Sequence, residues 1–379
     1  MSLDHITLAR TLSERIEEKP GPGKEKAYCD ALIEQMRRDQ LFSVSVAPDL
    51  GGPGLSVADI ARITFEIARQ SGSAGLIYAM HMSQAYTLTT HGKTLHLQEL
   101  QKRLHDEQLL IASGTSEKGP GGDILTSLCA IEEGDSGQMK VNKESPNISY
   151  VDHAGLILVT ANRINANGKK RQVLIAASVN KDNFTSTFAA GFLGMRGIHN
   201  SGYKFQINFD EGAIFEDAFS GIARQSMTPS IQIFWASLWS GLAWHMIDKA
   251  KRFTTEAIPP DSDMAPVILH EMTRIVDLHH SMNTMIRDAI AAFENSADAK
   301  GMGFALSAQI NRIKVNCSEL LNQISIRTLS VIGIRGYAMG GPYTIAEPLA
   351  DALSAPIMVS NVRLTLNTAQ IERFVDERL

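Results

Sequence analysis

The chain has 379 residues, 44% of them hydrophobic and 20% charged, with a formal net charge of −5 at pH 7. That length allows a large core and two or three subdomains, and the balance is ordinary for a globular protein. The charge argues against a protein that tracks nucleic-acid phosphates, which is usually basic. Cys29, Cys129 and Cys317 lie far apart and form no Cys-x-x-Cys or Cys/His spacing, so no disulfide framework or metal knuckle is expected and a reducing compartment fits. No uncharged apolar stretch reaches the roughly 18 residues of a membrane span. Met1-Ser2-Leu3-Asp4-His5 lacks a basic start followed by an apolar run, so it is not read as a signal peptide, and the expected location is the cytoplasm.

Residues 4–19 and 24–40 carry helical periodicity with charged faces, broken at Pro20-Gly21-Pro22-Gly23. The run Ala47-Pro48-Asp49-Leu50-Gly51-Gly52-Pro53-Gly54-Leu55-Ser56 turns and opens a helix with Ile60, Ile63, Phe65 and Ile67 among its apolar positions, ended by Ser71-Gly72-Ser73. Residues 74–91 and 94–104 read as further helices, so the first 110 residues form an all-helical unit. Residues 109–220 then alternate polar and apolar types, as in Leu156-Ile157-Leu158-Val159-Thr160 and Gln172-Val173-Leu174-Ile175. Gly134-Asp135-Ser136-Gly137 and Asn165-Ala166-Asn167-Gly168 mark turns. From about residue 227 the helices are long: 229–257, 265–296 and 302–333, each with apolar residues on two sides, which implies a bundle.

Two short signals lie in the β-rich zone, each at the end of an expected strand. They are Thr115-Ser116-Glu117-Lys118-Gly119-Pro120-Gly121-Gly122-Asp123 and Asn147-Ile148-Ser149-Tyr150. Together they suggest one binding wall made of two loops. Glycines let the backbone approach a flat ligand, and Ser116 and Ser149 can donate to or accept from ring heteroatoms. Plain hairpin connections are the competing account. With the Gly51–Ser56 run upstream, Gly194-Met195-Arg196-Gly197 downstream and Ile332-Gly333-Ile334-Arg335-Gly336-Tyr337 near the end, the order and spacing resemble the acyl-CoA dehydrogenase family of flavoproteins, from about residue 10 to about 370.

The resemblance implies an α+β, mostly α fold: an N-terminal helical domain over 1–110, a middle β-barrel-like domain over 111–222, and a C-terminal four-helix bundle over 223–379. It implies FAD as cofactor, with FMN or no flavin as alternatives. Ser113, Thr115 and Ser116 fall where the family's first loop contacts the flavin ring, with Gly121 and Gly122 following. Gly122 takes the place of a serine near the substrate thioester. Asn147 stands where many members place a tryptophan, Ser149 where they place a hydroxyl, and Asn361 is a further cofactor-contact candidate. The long C-terminal helices have more apolar faces than one bundle uses, so a homodimer or homotetramer is expected.

Two other clusters carry less. His270, His279 and His280 share an expected helix with Glu271 and Asp277, but His270 and His279 are out of phase for one face, and His-Glu-Met-Thr-Arg lacks the second histidine of the zinc motif. No metal is expected. Trp235 and Trp239 share a face at i, i+4, which suits core packing or an aromatic cavity wall.

The chain departs from the family where the chemistry sits. An acyl-CoA dehydrogenase removes an α-proton with a glutamate while hydride passes to flavin, and that base must be within reach with a tuned pKa. By register Val359 takes the glutamate's place in Ala350–Asn361. Ile231, followed by Gln232, occupies the alternative base position used by a minority of members. Arginine is lost at Ala350, and the Arg-x-x-Phe-Gly motif that meets a neighbouring subunit's dinucleotide falls on Ala257-Ile258-Pro259-Pro260-Asp261. The usual Gln-x-x-Gly-Gly falls on Ser330-Val331-Ile332-Gly333-Ile334. Loss of a fixed guanidinium removes a strong pyrophosphate contact. The leading expectation is a flavin-dependent oxidoreductase of this family acting on an acyl-thioester or related small molecule. The alternatives are a flavin monooxygenase of the same fold, which needs no α-proton base, and a non-catalytic scaffold that binds an acyl-thioester or a partner. A conventional dehydrogenase would need a base elsewhere, with Glu347, Asp351 and Glu256 the nearest carboxylates in register.

Overall fold

A computed structural model describes residues 4–16, 20, 23–121, 123–133, 138–164, 167–189, 191–296 and 303–375. The expected turn at Gly134–Gly137, and parts of those at Pro20–Gly23 and Asn165–Gly168, lie outside the described residues.

The N-terminal portion is helical: α1 (His5–Arg10), α2 (Glu25–Arg38), α3 (Val57–Ala68), α4 (Gly72–His91) and α5 (Leu95–Glu107). Side-chain oxygens cap the starts of four of them: Asp4, Ser56, Ser71 and Thr94 each accept from a backbone N–H three residues on. Such caps satisfy donors that a helix start leaves orphaned. Ser71-Gly72-Ser73 therefore begins α4 as well as ending α3, and α4 starts earlier than its apolar periodicity predicts. Helix α4 is buried on nearly all sides, as a central helix must be.

His81, at the middle of α4, fixes the next portion to it. Its Nδ1 accepts from Ile111 N–H at 3.0 Å and its Nε2 faces Phe42 O at 2.7 Å. That pairing requires the neutral ring, and burial pushes its pKa down to about 4. Because the folded value lies below the unfolded one, this group contributes stability above about pH 6.5 that is lost as pH falls towards 4. A His81→Asn variant should show a shallower loss of Tm than the parent over that window, read by thermal melts at stepped pH.

The β region contains β1 (Leu110–Gly114), β2 (Glu132–Glu133), β3 (Met139–Ile148), β4 (Ala154–Ile164), β5 (Lys170–Ser178), β6 (Phe184–Ala189) and β7 (Ser201–Phe209). They form two sheets, ordered β1-β4-β5 and β2-β3-β7-β6. All pairs are antiparallel except β1 with β4. The sheets face each other across Val159, Ile157 and Phe205, which crowd Gly114, and Lys143 of one sheet donates to Thr160 O and Oγ1 of the other, both at 2.8 Å.

Helices α6 (Phe219–Ile222), α7 (Thr228–Ala257), α8 (Ala265–Asn295), α9 (Phe304–Ile332), α10 (Ile334–Tyr337), α11 (Ala346–Ala352), α12 (Ala355–Met358) and α13 (Asn361–Glu372) complete the chain. Helix α9 packs on α7, α8 and α13, and α7 also packs on α3 and α4. A π turn over Ala223–Met227 joins α6 to α7. Among the described residues no helix is long and apolar enough to cross a membrane.

The Gly194–Gly197 landmark is a three-way junction. Met195 N–H donates to Asp351 of α11, Gly197 N–H donates to Ser73 Oγ of α4, and Arg196 pairs with Glu25 of α2. A Cβ at Gly194 would lie 2.3 Å from Ala350 O, a clash with backbone that cannot swing aside. Gly194→Ala should therefore cost roughly 1–3 kcal/mol, as overpacking does, measured by denaturant unfolding.

Candidate active site

The β region, the N-terminal helices and the C-terminal helices enclose a cavity of about 630 Å³, inside the range of roughly 300–1,000 Å³ typical of small-molecule sites. Its first wall is the β region, with Ser113, Thr115, Asp123, Ile124 and Leu125. Its second is the crossing of α4 and α7, with Met80, Ser83 and Gln84 from one helix and Ile231, Gln232 and Trp235 from the other. The π turn adds Ala223, Arg224 and Met227 beside it, and π turns are frequent at functional sites. The third wall comes from α9 (Ser307, Ile310, Asn311), the α12–α13 link (Val359) and α13 (Arg363, Leu364, Asn367).

Val359 and Ile231 thus face one cavity, although 128 positions apart in the sequence. Both positions that the sequence register assigns to a carboxylate base therefore present hydrocarbon to this cavity. The one carboxylate among the lining residues is Asp123, and both its oxygens are engaged: one accepts from Leu125 N–H at 3.0 Å, the other from Thr126 Oγ1 at 2.7 Å. The other carboxylates considered from the sequence lie elsewhere. Asp351 is buried under the Gly194 junction, where loss of solvation raises its pKa to about 7. It lines a separate cleft with Glu347. Glu256 is exposed and held by Arg252 at 3.2 Å and Tyr343 at 2.9 Å.

The two expected loops do meet. Ser116 Oγ lies 2.6 Å from Ser145 Oγ and donates to Asn147 O at 3.0 Å. Ser113 Oγ and Thr115 Oγ1 are 3.0 Å apart on the cavity wall. Glu117 roots the first loop: it accepts from Leu128 and Cys129 N–H and sits 3.6 Å from the buried Lys143 Nζ. Tyr150, at φ +46, turns inward and donates its hydroxyl to Ile111 O at 3.1 Å, tying the second loop to β1. Ser116, Asn147 and Ser149 support the wall rather than line the cavity, and Ser149 donates to Asn200. Gly121 adopts φ +64 with open space beside it; Gly122 lies outside the described residues. Asn361 is not on the wall.

What Asn361 does was not legible in the sequence. Lys314 of α9 is fully buried and donates to Ala355 O at 3.1 Å, to Val359 O, and to Asn361 Oδ1 at 2.7 Å. Its ammonium also lies 5.6 Å from the centre of the Trp239 ring. Burial lowers its pKa to about 8. This lysine gathers the end of α12 and the start of α13 and so sets where Val359 stands. Trp239 is core, whereas Trp235, stacked on it at 6.4 Å, reaches the cavity.

Of the histidines weighed from the sequence, His279 is buried against Ser240 at 3.0 Å, its pKa lowered to about 4 by burial. A cluster that sequence spacing hides lies at the junction of α2 with the β region. His153 Nε2 and His199 Nε2 stand 3.1 and 2.9 Å from the same Asp30 oxygen, and His199 Nδ1 is 3.8 Å from Asp152. Among the described residues this is the one set of histidine and acidic ligand atoms close enough to share an ion, and the polar contacts of the two rings with Asp30 account for the grouping.

Two helical portions clasping a two-sheet β region, with one cavity where the three meet, define an acyl-CoA dehydrogenase fold. Residues 7–106 match the sequence family described as acyl-CoA dehydrogenase, N-terminal domain. The chain therefore has the acyl-CoA dehydrogenase fold, and its N-terminal portion carries that family's sequence signature. It is 23% identical over 359 residues to a dibenzothiophene monooxygenase of Mycolicibacterium goodii, covering 88% of this chain and 85% of the relative. FMN-bound TdsC from Paenibacillus sp. A11-2 superposes with a TM-score of 0.82 at 17% identity, over 99% of this chain and 97% of that one. Butyryl-CoA dehydrogenase from Megasphaera elsdenii does so at 0.79 and 16%, over 98% and 97%.

Proposed function

We propose that this protein is a flavin-dependent oxidoreductase that binds FMN against Ser113 and Thr115 and works with oxygen, as a monooxygenase, on a small organic molecule. The observation that carries the reading is that Val359 and Ile231, from different walls, face the same cavity. A site with hydrocarbon at both base positions cannot deprotonate an unactivated acyl-thioester, but oxygen chemistry on flavin needs no such base. The dibenzothiophene monooxygenase relative and the FMN bound in TdsC support the same reading.

The residues present fit a flavin ring. The cavity is large enough for a flat ring with a small substrate beside it. Ser113 and Thr115 offer hydroxyls, and Glu117, Lys143 and Tyr150 hold the two loops from behind. Residues 257–261, Ala-Ile-Pro-Pro-Asp, offer no guanidinium to a dinucleotide's outer half, so FMN is favoured over the FAD expected from the family. When bound and reduced, such a flavin supplies two electrons and activates oxygen. The chain's own part is to position and to dry the site: Met80, Met227, Ile310 and Leu364 exclude water, and Lys314 keeps Val359 against the cavity. An acyl-thioester dehydrogenase is the second reading, supported by the family and by likeness to butyryl-CoA dehydrogenase.

Thr115→Val should weaken FMN binding by about 1 kcal/mol, the worth of one hydrogen bond, read by quenching of flavin fluorescence. Oxygen uptake with FMN and a flavin reductase should depend on the protein and on added substrate. Oxygen uptake unaffected by the protein would contradict the oxygen reading.

We also propose a homo-oligomer through the C-terminal helices. Val267, Leu269, Ile326, Ile334 and Tyr337 are exposed there, apolar side chains that a second copy would cover. A monomer by sedimentation at micromolar concentration would contradict this.

A further inference from the structure

The wall where α4 crosses α7 holds polar atoms that protein packing leaves without partners. Gln84 and Gln232 are 5% and 4% exposed, both line the cavity, and each has a buried Oε1 with no hydrogen-bond partner. Trp235, 8% exposed on the same wall, has an unpartnered indole Nε1. All three line the same cavity where α4 and α7 meet, the two helices being joined there by Ser83 Oγ and Ser230 Oγ at 3.1 Å. Stacking on Trp239 fixes the indole. A buried polar group left unpaired costs about 1–3 kcal/mol, and nearly all such groups in folded proteins find partners. Three on one cavity wall point to a partner that arrives with the ligand.

The chemistry of that partner follows from the wall. A glutamine amide offers a carbonyl acceptor and an N–H₂ donor and can turn to present either; an indole only donates. No charged side chain stands among the cavity residues of α4 and α7; Asp123, Arg224 and Arg363 line it from other elements. We propose that this wall binds the polar end of an uncharged substrate, a phenolic or alcoholic hydroxyl or an amide, that donates to a glutamine oxygen and accepts from an amide or the indole. The remainder of the molecule lies along Met80, Met227, Ile231 and Ile310. A saturated acyl chain would leave all three groups unpaired. The inference rests on the cavity's being the substrate site of the proposed oxidoreductase and names what that site selects.

The test is a matched pair of probes, para-cresol and para-xylene, which differ by a hydroxyl against a methyl. Each is titrated calorimetrically into the protein, with and without FMN. The parent should bind para-cresol roughly tenfold more tightly than para-xylene, since a site built to hydrogen-bond rejects the analogue that cannot. The Gln84→Leu/Gln232→Leu variant should lose or reverse that preference while melting as a folded protein, and Gln232→Asn should keep part of it. Equal affinities in the parent, binding of neither probe, or an unchanged preference in the double variant would each overturn the inference. FMN titration of the same samples reports separately on the flavin reading, so the failure of one is distinguishable from the failure of the other.

Discussion

Saturated acyl-CoA thioesters from butanoyl to hexadecanoyl should pass through this protein unchanged, even with an artificial electron acceptor present, and Val359→Glu should raise dehydrogenation above that floor. A positioned general base is worth roughly 10²–10⁴-fold, and the cavity supplies none: Val359 and Ile231 are hydrocarbon, and Asp123 has both oxygens committed to its own turn. The gain in the variant depends on the side chain pointing into the cavity, which Val359 already lines. Steady-state assays of parent and variant on one thioester series check the pair. Brisk turnover by the parent would mean that Asp123, the one carboxylate on the wall, frees itself to act as base.

Lys314→Met should both destabilise the protein and disorder the Val359 segment. The substitution leaves Ala355 O and Val359 O without the donor they now have and weakens the anchoring of Asn361. An orphaned buried acceptor costs about 1–3 kcal/mol, so two give a loss on the order of 2–6 kcal/mol before the relief of burying no charge is subtracted. The pH dependence separates this role from simple packing. Burial lowers the lysine's pKa from 10.5 to about 8. Between those values the unfolded chain holds a proton that the folded chain has released, so this group makes stability rise with pH across that window and contributes no slope below pH 8. Denaturant melts at pH 7, 8 and 9.5 should show that rise in the parent and not in the variant. Equal slopes would mean the ammonium is better solvated than its surroundings imply.

How much of this was legible in the sequence depends on the range of the signal. Caps and periodicity are local, so α2, α3, α5 and the three long helices α7, α8 and α9 are readable from residue order. The meeting of the Thr115–Asp123 and Asn147–Tyr150 loops was also legible, because each follows a strand and carries turn chemistry. Which hydroxyls face the cavity was not. Ser113 and Thr115 do, whereas Ser116 and Ser149 turn to neighbours that come from later in the chain, Asn147 and Asn200. Asn361 shows the same limit: its partner Lys314 lies 47 residues upstream on α9, and no spacing rule connects them. The Asp30–His153–His199 cluster is assembled from three separate segments, so it leaves no motif. Gln84 and Gln232 are ordinary helical residues until the crossing of α4 and α7 removes their water. The register that puts Val359 and Ile231 at the base positions rests on order alone; the structure adds that both face one cavity.

In the proposed function this cavity holds a flavin ring against the β region and runs chemistry there without a protein base. The most direct measurement is calorimetric titration of FMN into the protein and into Thr115→Trp, which fills that wall, with thermal melts confirming that both are folded. One FMN per chain is expected in the parent, with at least about a tenfold loss of affinity in the variant. No binding of FMN or FAD by the parent, or undiminished binding by the variant, would contradict it.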